Sequence, residues 1–111
     1  MVIVFVAVAL LMTAIGLEVG ATAAIPRADS FHNPGWTLVV VAGYLASTWL
    51  LSVVIKTLPL GVTYATWAGL GTVAVVAIGW FSGEQMSWVK LIAVAAIVAG
   101  VVALNASGSR A

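Results

Sequence analysis

The chain has 111 residues, of which 64% are hydrophobic and 6% are charged, and its net charge is +1. Ordinary soluble domains contain about 25% charged residues, so this composition excludes one, and four basic residues are too few for a nucleic-acid-binding surface. With no cysteine and a single histidine, the sequence lacks the residues for a disulfide framework or a zinc site, and we expect no metal and no cofactor.

The few charged residues divide the chain into four long apolar stretches. A helix needs about 20 apolar residues to cross the hydrocarbon core of a bilayer. Period-two alternation, which is typical of membrane β-strands, is absent from these stretches. We therefore predict an all-α integral membrane protein with one domain, residues 1–111, and four spans at about 2–25, 36–55, 60–81 and 88–106.

The first span contains one carboxylate, Glu18, among apolar residues. A charge at the bilayer centre costs about 2.5 to 3.5 kcal/mol on insertion scales, and no basic residue in this span could pair with it. Because desolvation penalises the charged form, we expect Glu18 to hold either a proton or an organic cation, but not both. The alternative is a structural role as a protonated side chain that hydrogen-bonds to a neighbouring helix.

Polar and aromatic residues recur at helical spacing in the first three spans, which suggests one shared cavity. Residues three and four apart lie on the same helix face. Aromatic rings attract organic cations, so such a cavity would suit a lipophilic cation; simple packing at helix contacts is the alternative. Around Glu18 these faces comprise Leu11, Ala14, Ile15, Ala21, Thr22 and Ile25 in the first span, Tyr44, Ser47, Thr48 and Leu51 in the second, and Tyr64, Trp67, Ala68 and Gly71 in the third.

Small residues suggest a hinge in the third span and a helix contact in the fourth. Gly69 and Gly71 lie in mid-span, where glycine favours a bend, although close helix packing would also explain them. Small side chains let helices approach closely in lipid, and we predict that those of span four form a dimer seam. The seam residues are Ala93, Ala96, Gly100 and Ala103.

The basic residues give the chain no preferred orientation in the membrane. Lys56 and Arg110 fall on one side, and Arg27 and Lys90 on the other. Orientation normally follows an excess of basic residues in cytoplasmic loops. A chain inserted both ways round could supply both halves of an inverted transporter, so we expect an antiparallel dimer. The alternative is that four basic residues are too few to be informative.

Several motifs together resemble the small multidrug resistance transporters over essentially the whole chain. They are Leu17-Glu18-Val19 with Thr22, Tyr44-Leu45-Ala46-Ser47 with Trp49, the segment 58–71, Gly83-Glu84, Gly100 and Asn105. The resemblance implies a homodimer of oppositely oriented four-helix subunits in the bacterial inner membrane, which exchanges protons for toxic lipophilic cations. It also implies that Glu18 is the shared binding carboxylate, with Tyr44, Tyr64 and Trp67 as pocket aromatics. The further pocket positions that it implies are Leu11, Ala14, Ile15, Ala21, Thr22 and Ser47.

Within this family, Ile15, Ala21 and Asn105 resemble the promiscuous multidrug branch, since guanidinium exporters tend to carry a small residue, Trp and Lys there. The expected substrates are quaternary ammonium and other lipophilic cations. A guanidinium exporter, one subunit of a heterodimeric pump, and a non-transporting membrane assembly protein stay as alternatives. An enzyme is not expected, because no nucleophile–base pair is evident.

Overall fold

A computed structural model describes residues 2–108, which form four α-helices. Helix α1 covers Val2–Ala24, α2 Pro34–Val54, α3 Leu60–Phe81 and α4 Trp88–Gly108. All four are long and apolar enough to cross a membrane, which confirms the predicted all-α membrane architecture. Arg110, which enters the charge balance, lies outside the described residues.

The α1–α2 connection is a tightly ordered reversal of the chain. After a 3₁₀ turn at Ile25–Ala28, three consecutive residues from Asp29 to Phe31 have positive φ angles of 51°, 55° and 67°. Asn33 then accepts a hydrogen bond from the Trp36 amide at 3.2 Å, so it caps α2 and starts the helix at Pro34, two residues before the predicted 36. The Arg27 guanidinium lies 5.1 Å from the centroid of the Trp36 ring, a cation–π contact that fixes this basic residue beside the start of α2.

Helices α1 and α2 pack so closely that their backbones nearly touch. A Cβ atom at Gly43 would lie 2.8 Å from the Cβ of Ala21, so only glycine fits at this crossing. One turn further along α2, the buried Ser47 hydroxyl donates to the Ala14 carbonyl at 2.7 Å. These contacts join α1 and α2 into one hairpin, which presents Glu18 to the third helix.

Helix α3 packs against α1 on one side and against α4 on the other. Leu11, Ile15 and Val19 of α1 form a buried cluster with Val54 at the end of α2, and α3 side chains cover it. Helix α4 has no buried residue among those the structure describes, so its outward face is left to lipid or to another protein chain.

The contact between α3 and α4 depends on one glycine and one hydrogen bond. A Cβ at Gly69 would lie 2.6 Å from Val101 Cγ2 and 3.3 Å from Ile97 Cγ2, so the two α4 side chains fill the space that glycine leaves. Asn105 Nδ2 donates to Thr66 Oγ1 at 2.9 Å. This bond links α4 to a buried position of α3 outside the Glu18 cavity lining.

Candidate functional site

A cavity of about 450 Å³ lies beside Glu18, between α1 and α3. Its α1 wall is formed by Glu18 and Thr22, and its α3 wall by one continuous helix face. The α3 residues are Tyr64, Trp67, Ala68, Gly71, Thr72, Val75 and Val76. Since Glu18 is the one charged residue in this lining, the cavity is suited to a ligand with a single positive charge and apolar surface.

The two carboxylate oxygens of Glu18 have different surroundings. Oε1 lies 3.4 Å from the Thr22 hydroxyl, which donates to it. Oε2 is buried and has no hydrogen-bond partner among the described residues; an ideal Cβ at Gly71 would lie 2.9 Å from it. A buried charged oxygen without a partner is costly, so Oε2 is the atom at which a proton or a bound cation would bring the largest gain.

Two aromatic residues of α3 stand beside this carboxylate. The ring centroids of Tyr64 and Trp67 are 5.6 Å apart, and the ring planes are tilted by 53°. Tyr64 is 55% exposed in the single subunit, while Trp67 Nε1 is buried without a hydrogen-bond partner among the described residues. Ring faces beside a carboxylate favour a desolvated organic cation over a strongly hydrated inorganic ion.

Tyr44 of α2 reaches the site through Thr22. Its phenol oxygen lies 2.6 Å from Thr22 Oγ1, a short hydrogen bond in which either hydroxyl can donate. Tyr44 does not itself line the cavity; it contacts the residue that does. The chain of contacts Glu18–Thr22–Tyr44 therefore connects the cavity to the α1–α2 hairpin.

The structure brings four of the ten predicted proton-binding and pocket residues together at the cavity: Glu18, Thr22, Tyr64 and Trp67. Tyr44 lies one hydrogen bond away. The other five are at helix contacts in the single subunit, because α2 and the end of the hairpin cover that side of α1. They are Leu11 and Ile15 in the buried cluster, Ala14 and Ser47 in the α1–α2 hydrogen bond, and Ala21 against Gly43.

Sequence reasoning missed three residues of the cavity wall: Thr72, Val75 and Val76. The signal for Thr72 and Val75 was available, since they continue the helical spacing of Tyr64, Ala68 and Gly71 by one more turn. Because valine and threonine look like ordinary membrane-helix residues, composition alone did not mark them.

The two glycines assigned to a hinge have separate contacts. Helix α3 continues through both positions; Gly69 faces α4, whereas Gly71 faces the Glu18 carboxylate. Close packing therefore accounts for each glycine in this state, and bending at these positions stays a prediction.

The residues assigned to the dimer seam lie on an exposed face of α4. Ala93, Ala96, Gly100 and Ala103 are all exposed in the single subunit, and a Cβ at Gly100 would meet no atom within 4 Å. This face is open to close approach by another helix, and its use as a seam stays a prediction.

Comparison with known proteins gives matches along most of the chain. The family model described as Small Multidrug Resistance protein matches residues 5–97. The nicotine metabolites export pump subunit NepA of Paenarthrobacter nicotinovorans is 41% identical over 97 residues, which are 86% of this chain and 84% of that protein. The quaternary ammonium compound-resistance protein QacF of Klebsiella aerogenes is 43% identical over 89 residues, 79% of this chain and 81% of QacF. The pump subunit NepB of P. nicotinovorans is 38% identical over 99 residues, 88% of this chain and 60% of NepB.

Proposed function

The chain belongs to the small multidrug resistance family of multi-pass transporters of the bacterial inner membrane, and from that premise we propose that it is a proton-coupled antiporter. In this proposal it exports lipophilic cations such as quaternary ammonium compounds, and a proton and the cation compete for Glu18. The name of the similar QacF supports this class of substrate.

The observation that carries the proposal is the unpartnered Glu18 Oε2 atom beside the Tyr64–Trp67 pair. The carboxylate needs either a proton or a positive guest, and the aromatic rings favour a guest with delocalised or shielded charge. Both ligands satisfy the same oxygen, so binding of one disfavours binding of the other.

Competition at one carboxylate couples the two flows. At the outward-facing site, protons displace the cation from Glu18, and the protonated Glu18 then turns to the inner side. On the inner side, a new cation displaces them. Since each crossing requires one of the two ligands to neutralise the buried charge, the empty ionised site is the costly state to move through the bilayer. Proton entry thereby drives cation export.

A second copy of the chain in the opposite orientation would complete the transporter. The open side of the cavity, the exposed small-residue face of α4 and the balanced loop charges support an inverted homodimer. The similar NepA and NepB are each named as a pump subunit, which favours a heterodimer as the second candidate. Expression of this chain alone distinguishes them: cation resistance without a second gene supports the homodimer.

The test is cation binding by purified protein as a function of pH, with tetraphenylphosphonium as the lipophilic probe and guanidinium as the competitor substrate. Affinity for tetraphenylphosphonium should fall by up to about tenfold per pH unit on acidification for each proton that binding releases. Glu18→Gln should abolish binding and proton release. Glu84→Gln, which removes an exposed loop carboxylate, is the matched control and should behave as wild type.

Exchange of tetraphenylphosphonium for protons by the Glu18→Gln protein would overturn the proposal. Proton exchange with guanidinium but not with tetraphenylphosphonium would instead favour the guanidinium exporter.

A further inference from the structure

Thr22 differs from the other threonines of these helices whose hydroxyls donate a hydrogen bond, because its own hydroxyl contacts side chains. A threonine in a helix usually donates to the carbonyl four residues earlier. Three do so here, at 2.9, 2.8 and 2.7 Å: Thr13, Thr66 and Thr72. Thr22 Oγ1 instead lies between two side chains, 3.4 Å from Glu18 Oε1 and 2.6 Å from the Tyr44 phenol oxygen.

The single hydroxyl proton of Thr22 cannot serve both neighbours at once. A hydroxyl donates one hydrogen bond and accepts up to two, whereas an ionised carboxylate only accepts. With Glu18 ionised, Thr22 donates to Oε1 and accepts from Tyr44. When the protonated Glu18 carboxyl group turns its O–H toward Thr22, the acid donates to Thr22, and Thr22 donates to Tyr44. The direction of the Glu18–Thr22–Tyr44 hydrogen bonds thus reverses with the charge of Glu18, and Thr22 keeps two hydrogen bonds in both states.

We propose that Thr22 is a positioning residue that couples the protonation of Glu18 on α1 to the hydrogen-bond direction of Tyr44 on α2. The proposal rests on the proposed function, because it requires Glu18 to gain and lose a proton. The ionised, cation-ready state is stabilised by two donors in series, and protonation turns the Tyr44 hydroxyl from donor to acceptor. A change at the cavity is thereby transmitted to the α1–α2 contact.

Few titratable groups besides Glu18 face this relay. Among the described residues, α2 presents Tyr44 and α3 presents Tyr64. The other charged or titratable residues of the described chain lie in loops or near helix ends: Arg27, Asp29, His32, Lys56, Glu84 and Lys90.

The experiment compares Thr22→Val, which keeps the shape but removes the hydroxyl, with Thr22→Ser, which keeps it. Two quantities are measured: tetraphenylphosphonium affinity against pH, and the resonance Raman bands of the Tyr44 phenol, identified by their loss in Tyr44→Phe. In Thr22→Val the affinity at neutral pH should fall about tenfold and the binding curve should shift to higher pH, since the carboxylate loses a charge-assisted donor. Thr22→Ser should stay within about twofold of wild type. The Tyr44 bands should change with pH in wild type and Thr22→Ser, but not in Thr22→Val.

A wild-type pH profile and an unchanged pH-dependent phenol signal in Thr22→Val would overturn the relay and leave the proposed function standing. Failure of the proposed function is visible separately, as wild-type protein whose cation binding does not depend on pH. If Thr22→Val loses its helical circular dichroism, the relay is tested instead with the binding curves of Thr22→Ser and Tyr44→Phe. Tyr44→Phe should shift the curve in the same direction as Thr22→Val, and a wild-type curve would contradict the relay. Where both fold, the double variant should add little to either single change.

Discussion

Gly71 leaves the space into which the Glu18 carboxylate projects: a Cβ at position 71 would lie 2.9 Å from Glu18 Oε2. The obstructed atom is the far end of a flexible side chain, so an added methyl group would move the carboxylate and leave the helices in place. The role of this glycine is therefore expected to be local to the cation site.

We predict that Gly71→Ala folds normally but loses cation affinity at least about tenfold, because the carboxylate is displaced from the aromatic pair. Binding of tetraphenylphosphonium and thermal unfolding in detergent measure the two effects. Gly69→Ala is the matched control: its Cβ would lie 2.6 Å from Val101 Cγ2, so it should lower the unfolding temperature and change affinity much less. Equal losses of affinity in both variants would favour a shared hinge instead.

Replacing Trp67 should weaken binding of lipophilic cations more than replacing the Tyr64 hydroxyl. Trp67→Leu removes a ring from the cavity wall, and a desolvated cation–π contact contributes about 2 kcal/mol, which corresponds to a loss of about thirtyfold. Tyr64→Phe keeps its ring and should lose less than about fivefold. Calorimetric titration with tetraphenylphosphonium compares the two. A wild-type affinity in Trp67→Leu would show that this ring does not contact the cation.

The buried hydrogen bond between Ser47 and Ala14 should contribute modestly to stability. Ser47→Ala removes a donor at 2.7 Å, but the Ala14 carbonyl belongs to a helix, so we expect a loss of about 0.5 to 1 kcal/mol. Ser47→Leu should be far more disruptive, because this position is 0% exposed. Reversible unfolding in mixed detergent micelles measures both. A destabilisation in Ser47→Ala as large as that in Ser47→Leu would contradict this estimate.

A bulky residue on the small-residue face of α4 should weaken dimerisation without harming the subunit. Ala96→Ile adds bulk to the predicted seam, and Ala95→Ile adds the same bulk to a neighbouring exposed face. Sedimentation equilibrium in detergent should show a weaker dimer for Ala96→Ile alone. Equal dimer strength in the two variants would place the seam elsewhere.

The sequence was sufficient to predict the helices, because charged residues and Pro-Gly segments bound each apolar stretch. It also marked Glu18 as the candidate proton- and cation-binding residue, since a lone acid in a span such as 2–25 is costly to insert. The sequence did not predict which residues of different helices contact each other. The periodicity of one helix fixes a face but not the level at which another helix crosses it. Gly69 and Gly71 therefore looked alike in the sequence, although Gly69 packs against Val101 and Gly71 leaves space for the Glu18 carboxylate.

The same limit explains why some predicted pocket residues lie at the cavity and others lie at helix contacts. Ala14 and Thr22 both lie near the Glu18 face of α1, but α2 crosses over Ala14 and leaves Thr22 at the cavity edge. The crossing point depends on Gly43, whose missing side chain lets α2 approach Ala21. No spacing rule within α1 contains that information.

The close α1–α2 hairpin also bears on biogenesis. The ribosome delivers α1 and α2 before α3, so the nascent chain can assemble this pair first. Within this pair Thr22 lies beside the Glu18 side chain and Tyr44 bonds to Thr22, whereas the aromatic wall belongs to α3, which is synthesised later. An acid that is costly to insert alone thus has hydroxyl groups near it once α1 and α2 pair, and the later helices only have to enclose it.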